Sequence, residues 1–161
     1  MIEITAESLR GLKEEAKHCR RKRKNLNYHP KMDDPINRMV HAMNPGTYIQ
    51  PHKHEDPDKR EIFIILEGRV AVIEFDDHGN VIQNIILDRT EGKYGVEIPA
   101  CTWHSIIALE EDSMVYEVKD GPYSSINDKH FASWAPAENS DGGRPECQHF
   151  LEDLKRKLAI R

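Results

Sequence analysis

The stretch Gln50–Arg69, QPHKHEDPDKREIFIILEGR, holds two histidines one residue apart, His52 and His54. A charged break follows, and Glu61 then heads an apolar run that ends at Gly68. Residues two apart on a strand face the same way, so both imidazoles would converge on one point. A hairpin after the break would return Glu61 beside them. Taken alone the pair is a weak signal: two polar residues beside Pro51 also mark a turn, and the chain holds nine histidines. A third, His104, stands in EIPACTWHSIIAL (97–109), on a later run after a proline-containing turn. The ordered set Gly46, His52, His54, Glu61, Gly68, Pro99 and His104 threads through the expected strands. Imidazoles and a carboxylate suit iron, nickel, copper, zinc or manganese, and four such ligands leave one or two positions for substrate or water.

Working outward from this stretch, short runs rich in Val and Ile follow one another between turn residues. They predict strands near 37–43, 46–51, 61–66, 69–76, 81–88, 94–98, 103–109 and 113–119, with a hairpin across DDHG (76–79). Many short strands at close spacing predict a mainly β sandwich or barrel. On the N-terminal side, Leu9, Leu12, Ala16 and Cys19 recur at helical spacing, so a helix is expected over 5–24, capped by Thr5. NLNYHPKMDDPI (25–36) reads as a loop. On the C-terminal side, 120–146 reads as an extended arm. Phe150, Leu151, Leu154 and Leu158 predict a short amphipathic helix over 147–160, with Lys155, Arg156 and Lys157 where cations suit the helix dipole. The division expected is a helix and basic loop (1–36), a barrel (37–119), and an arm with a short helix (120–161), all in one domain.

A chain of 161 residues can bury a core of its own. Its net charge of −5 argues against whole-surface binding of nucleic acid. No apolar run approaches bilayer length, and the start MIEITAESLR does not read as a secretory signal. Three widely spaced cysteines, Cys19, Cys101 and Cys147, form no disulfide framework or zinc-finger pattern, which favours a reduced, cytoplasmic setting.

Residues 46–68, GTYIQPHKHEDPDKREIFIILEG, resemble the first motif of the cupin superfamily: Gly, five residues, His-x-His, a gap, Glu, six residues, Gly. The gap here, EDPDKR, is six residues where three or four are usual. The second cupin motif is matched by Pro99 and His104, while Cys101 stands where Gly is usual and Ala108 where Asn is usual. RKRKNLNYH (21–29), PGTYIQPHKH (45–54), EIPACTWH (97–104) and GPYSSINDKHFASWAPAE (121–138), in that order, are similar to WbuC-type cupin-fold metalloproteins, over about residues 20–138. The resemblance implies a small cupin (jelly-roll) β-barrel holding one divalent metal ion (Zn, Fe, Ni or Mn) on His52, His54, His104 and Glu61. It also implies a setting in bacterial O-antigen and surface-polysaccharide biosynthesis, and no particular reaction. Cupins are often dimers, and an edge strand or the N-terminal helix could pair chains.

The bases Arg20–Lys24 read blandly as a solvated helix end. Because they belong to the matched region, the sharper reading is that Arg23 reaches the barrel mouth to hold a phosphate or carboxylate, with Asn27 and His29 beside it. Tyr48 shares the parity of His52 and His54 and is expected to point inward; Trp103 is expected to point away into a packing layer. Tyr123, Phe131 and Trp134 read as anchors of the arm, Cys101 as a small turn residue, and His41, His78, His130 and His149 as structural or exposed. The function expected is action on, or binding of, a small polar metabolite such as a sugar or nucleotide-sugar. A sensing or carrying module without catalysis and an iron-dependent dioxygenase stand as alternatives.

Overall fold

The computed structural model describes residues 1–124, 128–138 and 144–159. Parts of the expected arm (125–127 and 139–143) and residue 160 of the expected helix lie outside them.

Thr5 caps α1 (Ala6–His18) by accepting the Ser8 N–H at 3.1 Å, while the Ser8 hydroxyl accepts the Thr5 N–H at 3.0 Å. The helix ends at His18, not at 24. Cys19 is extended, Lys22 takes a left-handed turn (φ 54), and the chain enters β1 (Arg23–Asn27). This strand pairs antiparallel with β2 (Ile36–Met43), from Arg23 opposite Met43 to Asn27 opposite Met39. A free edge on β2 thus overrides the helix propensity of the basic run, and it turns the start of the expected 25–36 loop into strand.

The expected strand over 46–51 does not form. Gly46 turns with φ 88, and only β3 (His52–Lys53) joins a ladder. β4 (Glu61–Glu67), β5 (Arg69–Phe75) and β6 (Val81–Asp88) follow, then β7 (Gly95–Ile98), β8 (Trp103–Ala108), β9 (Ser113–Asp120), β10 (His130–Phe131) and α2 (Pro145–Lys157). They build two five-stranded sheets, β1-β2-β9-β4-β7 and β10-β3-β8-β5-β6, with every pairing antiparallel. This is the mainly β jelly roll expected, with a helix at each end of the chain.

Side-chain alternation explains why several strands are apolar on both faces. Along β5, Val70 and Val72 point between the sheets, toward Phe63, Ile106 and Val115. Ala71, Ile73 and Phe75 point outward, beneath Leu151 and Leu154 of α2. Along β2, Met43 faces inward while Val40 and Ala42 lie beneath Leu9, Leu12 and Ala16 of α1. Each helix therefore covers the outer face of one sheet, and each fully buried Leu or Ile contributes about 1.5–3 kcal/mol. Trp103 lies in the layer beneath α2, as alternation requires. No helix among the described residues is long and apolar enough to cross a membrane.

Candidate metal centre

The inner layer changes from apolar to polar at one end of the barrel. β3 and β8 set His52 directly opposite His104, as a cross-strand pair in one sheet. His54 follows two residues on, so its ring returns to the same face. Glu61, the first residue of β4, comes from the opposing sheet, where Ile98 and Lys119 flank it in register. All four side chains are buried, at 2–4% exposure. The ring centres of His52 and His104 are 4.4 Å apart, and those of His52 and His54 5.1 Å apart. One ligand atom from each of the four lies within 4.8 Å of the others.

The hydrogen bonds fix which imidazole nitrogen faces this point. His52 Nδ1 is 2.9 Å from the Gln50 carbonyl, His104 Nδ1 is 2.8 Å from the Thr102 carbonyl, and His54 Nδ1 meets the Asp128 carbonyl. A carbonyl oxygen only accepts, so each Nδ1 carries the proton and each Nε2 keeps a lone pair. Backbone carbonyls of this kind orient the histidines of metal sites.

The atoms left over fit a cation. His54 Nε2, His104 Nε2 and Glu61 Oε1 are buried without a hydrogen-bond partner. His104 Nε2 and Glu61 Oε1 are nonetheless 2.5 Å apart. With each Nδ1 carrying the ring proton, this close pair is two acceptors facing each other. Buried acceptors crowded around one point without a protein partner are costly unless a shared cation joins them. Charge supports this. Burial pushes the His52 imidazolium well below the ordinary histidine range, with Lys129 and His104 adding to the effect. Neutral imidazoles with one carboxylate are a donor set for zinc, iron, nickel or manganese.

His52, Glu61 and His104 of this cluster line a cavity of about 230 Å³, together with the apolar Met43, Phe63, Ile106 and Phe131 and the cationic Arg23 and Lys129. Five residues, Arg21, Arg23, His41, Glu117 and Lys129, are shared with an adjoining cavity of about 610 Å³. Asn27 and His29 line only the adjoining one, where His29 Nδ1 accepts the Arg38 N–H at 3.1 Å. Arg23 lines the inner cavity and is already engaged: it donates to the Tyr48 carbonyl at 2.8 Å and to Glu138 at 2.6 Å. Tyr48 departs from the inward orientation expected. Its hydroxyl donates to the Pro136 carbonyl at 2.7 Å and its ring meets Phe150 of α2 edge-on, because residues 46–51 are not a regular strand.

Several residues enter the site unannounced. His41 is not a bystander: its Nε2 is 2.7 Å from Glu117 Oε2, and both line the inner cavity. Phe131 is a rim residue 6.1 Å from the His52 ring, instead of an anchor of the arm. Asp128 receives Lys59 and Lys119, each at 2.6 Å, all three buried. Lys59 belongs to the six-residue break after His54, so the extra length binds the arm and leaves Glu61 in place. Cys101 lies outside the cluster, exposed, with its thiol donating to Asp58 at 3.2 Å.

Two antiparallel sheets with a His/Glu cluster at one end make a cupin-like jelly-roll fold that carries a possible metal site. The chain belongs to the DUF6016 family, a domain of unknown function whose model matches residues 4–87 and so takes in His52, His54 and Glu61. Among curated proteins none matches the sequence. Among solved structures, L-ribose isomerase of Cellulomonas parahominis with L-psicose superposes with a TM-score of 0.54 at 13% identity, covering 69% of each chain. CapF with an inhibitor superposes with a TM-score of 0.52 at 20% identity, covering 66% of this chain and 30% of that one. An oxalate decarboxylase gives 0.50 at 16% identity, covering 86% of this chain and 32% of that one. At these identities the likeness is one of fold.

Proposed function

We propose that the protein binds one divalent metal ion through His52, His54, His104 and Glu61 and acts there on a small polar metabolite, a sugar or nucleotide-sugar of surface-polysaccharide biosynthesis. One observation carries the metal reading: three Nε2 lone pairs and a carboxylate converge, each Nδ1 being held by a backbone carbonyl. The similarity of RKRKNLNYH and GPYSSINDKHFASWAPAE to WbuC-type proteins supports the biosynthetic setting. A bound metal would supply Lewis acidity, polarising a carbonyl or hydroxyl. The chain's own residues would do the rest. Phe63 and Ile106 exclude water from one side of the ligand. The His41–Glu117 pair stands at the cavity wall, where it can accept or return a proton.

Turnover of a panel of sugars and nucleotide-sugars, with and without chelator, tests this reading. Metal-dependent conversion of one of them is expected. Saturable binding without conversion under every metal would replace the enzyme with a binding module.

A further inference from the structure

Among the cations that line the inner cavity, Lys129 differs from the other two. Arg21 and Arg23 both donate to Glu138 Oε1, at 2.6 Å each. Lys129 is half-buried at the wall shared by the two cavities, and no carboxylate among the described residues stands within ion-pair distance of it. Its backbone is nonetheless held firmly. On one side Asp128 is tied to Lys59, Lys119 and His54; on the other, His130 and Phe131 pair with Lys53 and His52. An ammonium that lines a cavity and has no partner among the described residues is suited to anchor an anion.

The charge balance points the same way. With histidines neutral, Arg21, Arg23 and Lys129 are matched by Glu61, Glu117 and Glu138 around the inner cavity. A divalent ion on the His/Glu cluster then leaves a net positive cavity, which a neutral ligand does not balance.

We propose that Lys129 anchors an anionic oxygen group, a carboxylate or a phosphate, of the molecule that the metal centre takes. The ligand then runs from the His/Glu cluster to Lys129, and anything longer continues past His41 and Glu117 into the adjoining cavity. This inference rests on the proposed metal reading for the other end of the ligand.

The test is calorimetric titration of the untagged full chain with glycolate, inorganic phosphate and the neutral glycolamide, with metal content measured on the same samples. The wild type, Lys129→Met and Lys129→Arg are compared. Glycolate or phosphate is expected to bind at least about tenfold more tightly than glycolamide, and Lys129→Met to lose about tenfold or more for that anion alone, as befits a charged hydrogen bond. Lys129→Arg is expected to stay within about threefold of wild type, since it keeps the charge. Whichever anion responds identifies the group. Unchanged anion affinity in metal-loaded Lys129→Met, or glycolamide binding as tightly as both anions, overturns the anchor. A lysine effect in protein that holds no metal keeps the anchor and defeats the metal reading instead.

Discussion

The backbone carbonyl of Asp128 accepts the Nδ1–H of His54, 74 residues away in the chain. The Asp128 carboxylate meanwhile binds the ammonium groups of Lys59 and Lys119, one on each oxygen. The arm after β9 is thus fastened to the barrel at the point where it orients a candidate ligand. Burial alone would favour the neutral acid, but Lys119 and Lys59 outweigh it and hold the Asp128 carboxyl below its usual range.

Removing that carboxylate leaves two buried ammoniums without their partner. Asp128→Ala is therefore expected to destabilise the fold by about 3–5 kcal/mol. The carbonyl that holds His54 remains, but the arm that carries it is no longer fastened by the carboxylate, so metal affinity is expected to fall about tenfold as well. Urea unfolding and a competitive metal titration measure the two effects. An unchanged urea midpoint would contradict the role given to the triad.

Acid stability follows from the same group. Asp128 and Glu117 have ordinary values of 3.8 and 4.5, and both are lowered in the fold. For Glu117, too, burial works against the charge, and the contact with His41 outweighs it. A carboxyl whose folded value is depressed contributes stability above its unfolded value and loses it as pH falls toward the folded one. The urea midpoint of metal-free protein is expected to begin falling below about pH 6.5, where the unfolded chain protonates His52, and to drop further below about 4.5 as these carboxylates protonate. In Asp128→Asn that acid limb should be shallower; equal limbs in both proteins would contradict the assignment.

Gly68 turns the chain between β4 and β5 with φ 68, and a Cβ there would stand 2.6 Å from Ser113 Oγ and 2.8 Å from Ser113 Cα. Backbone cannot yield as a side-chain tip can. Gly68→Ala is expected to cost about 2 kcal/mol or more, from strain and overpacking together. Thermal unfolding checks this, and a variant as stable as wild type would show that the turn relaxes.

Leu151 of α2 is 2% exposed over Ala71, Ile73 and Ile107. Leu151→Ala is expected to cost about 2–5 kcal/mol through lost burial and the cavity left behind. Metal content should stay at the wild-type level, since α2 covers the sheet on the face opposite the cluster. A stability loss under about 0.5 kcal/mol would place the helix outside the cooperative core.

The legible and illegible parts of this chain divide by the range of the forces involved. His52, His54, Glu61 and His104 are readable because strand alternation and a spaced motif place them, and the structure brings those four together. His41 and Glu117 were within reach by the same logic. They sit at inward positions of neighbouring strands, β2 and β9, both of which the sequence suggests. Cys101 takes φ 63, a left-handed conformation that favours glycine, so the turn itself accounts for the glycine usual in the motif, and cysteine adopts it under strain. The end of α1 and the role of Lys59, Asp128 and Lys129 had no local signal. β1 exists because β2 offers an edge, and the arm has no periodicity, so its residues acquire their places only from contacts with distant strands.

The central claim is that the four convergent side chains hold a metal. Elemental analysis of protein purified without an affinity tag, beside the His52→Ala/His54→Ala double variant, tests it most directly. The account expects about one equivalent of a divalent transition metal in the wild type and a loss of about tenfold or more in the variant, which keeps only two of four ligands. Equal metal content in the two folded proteins would contradict it.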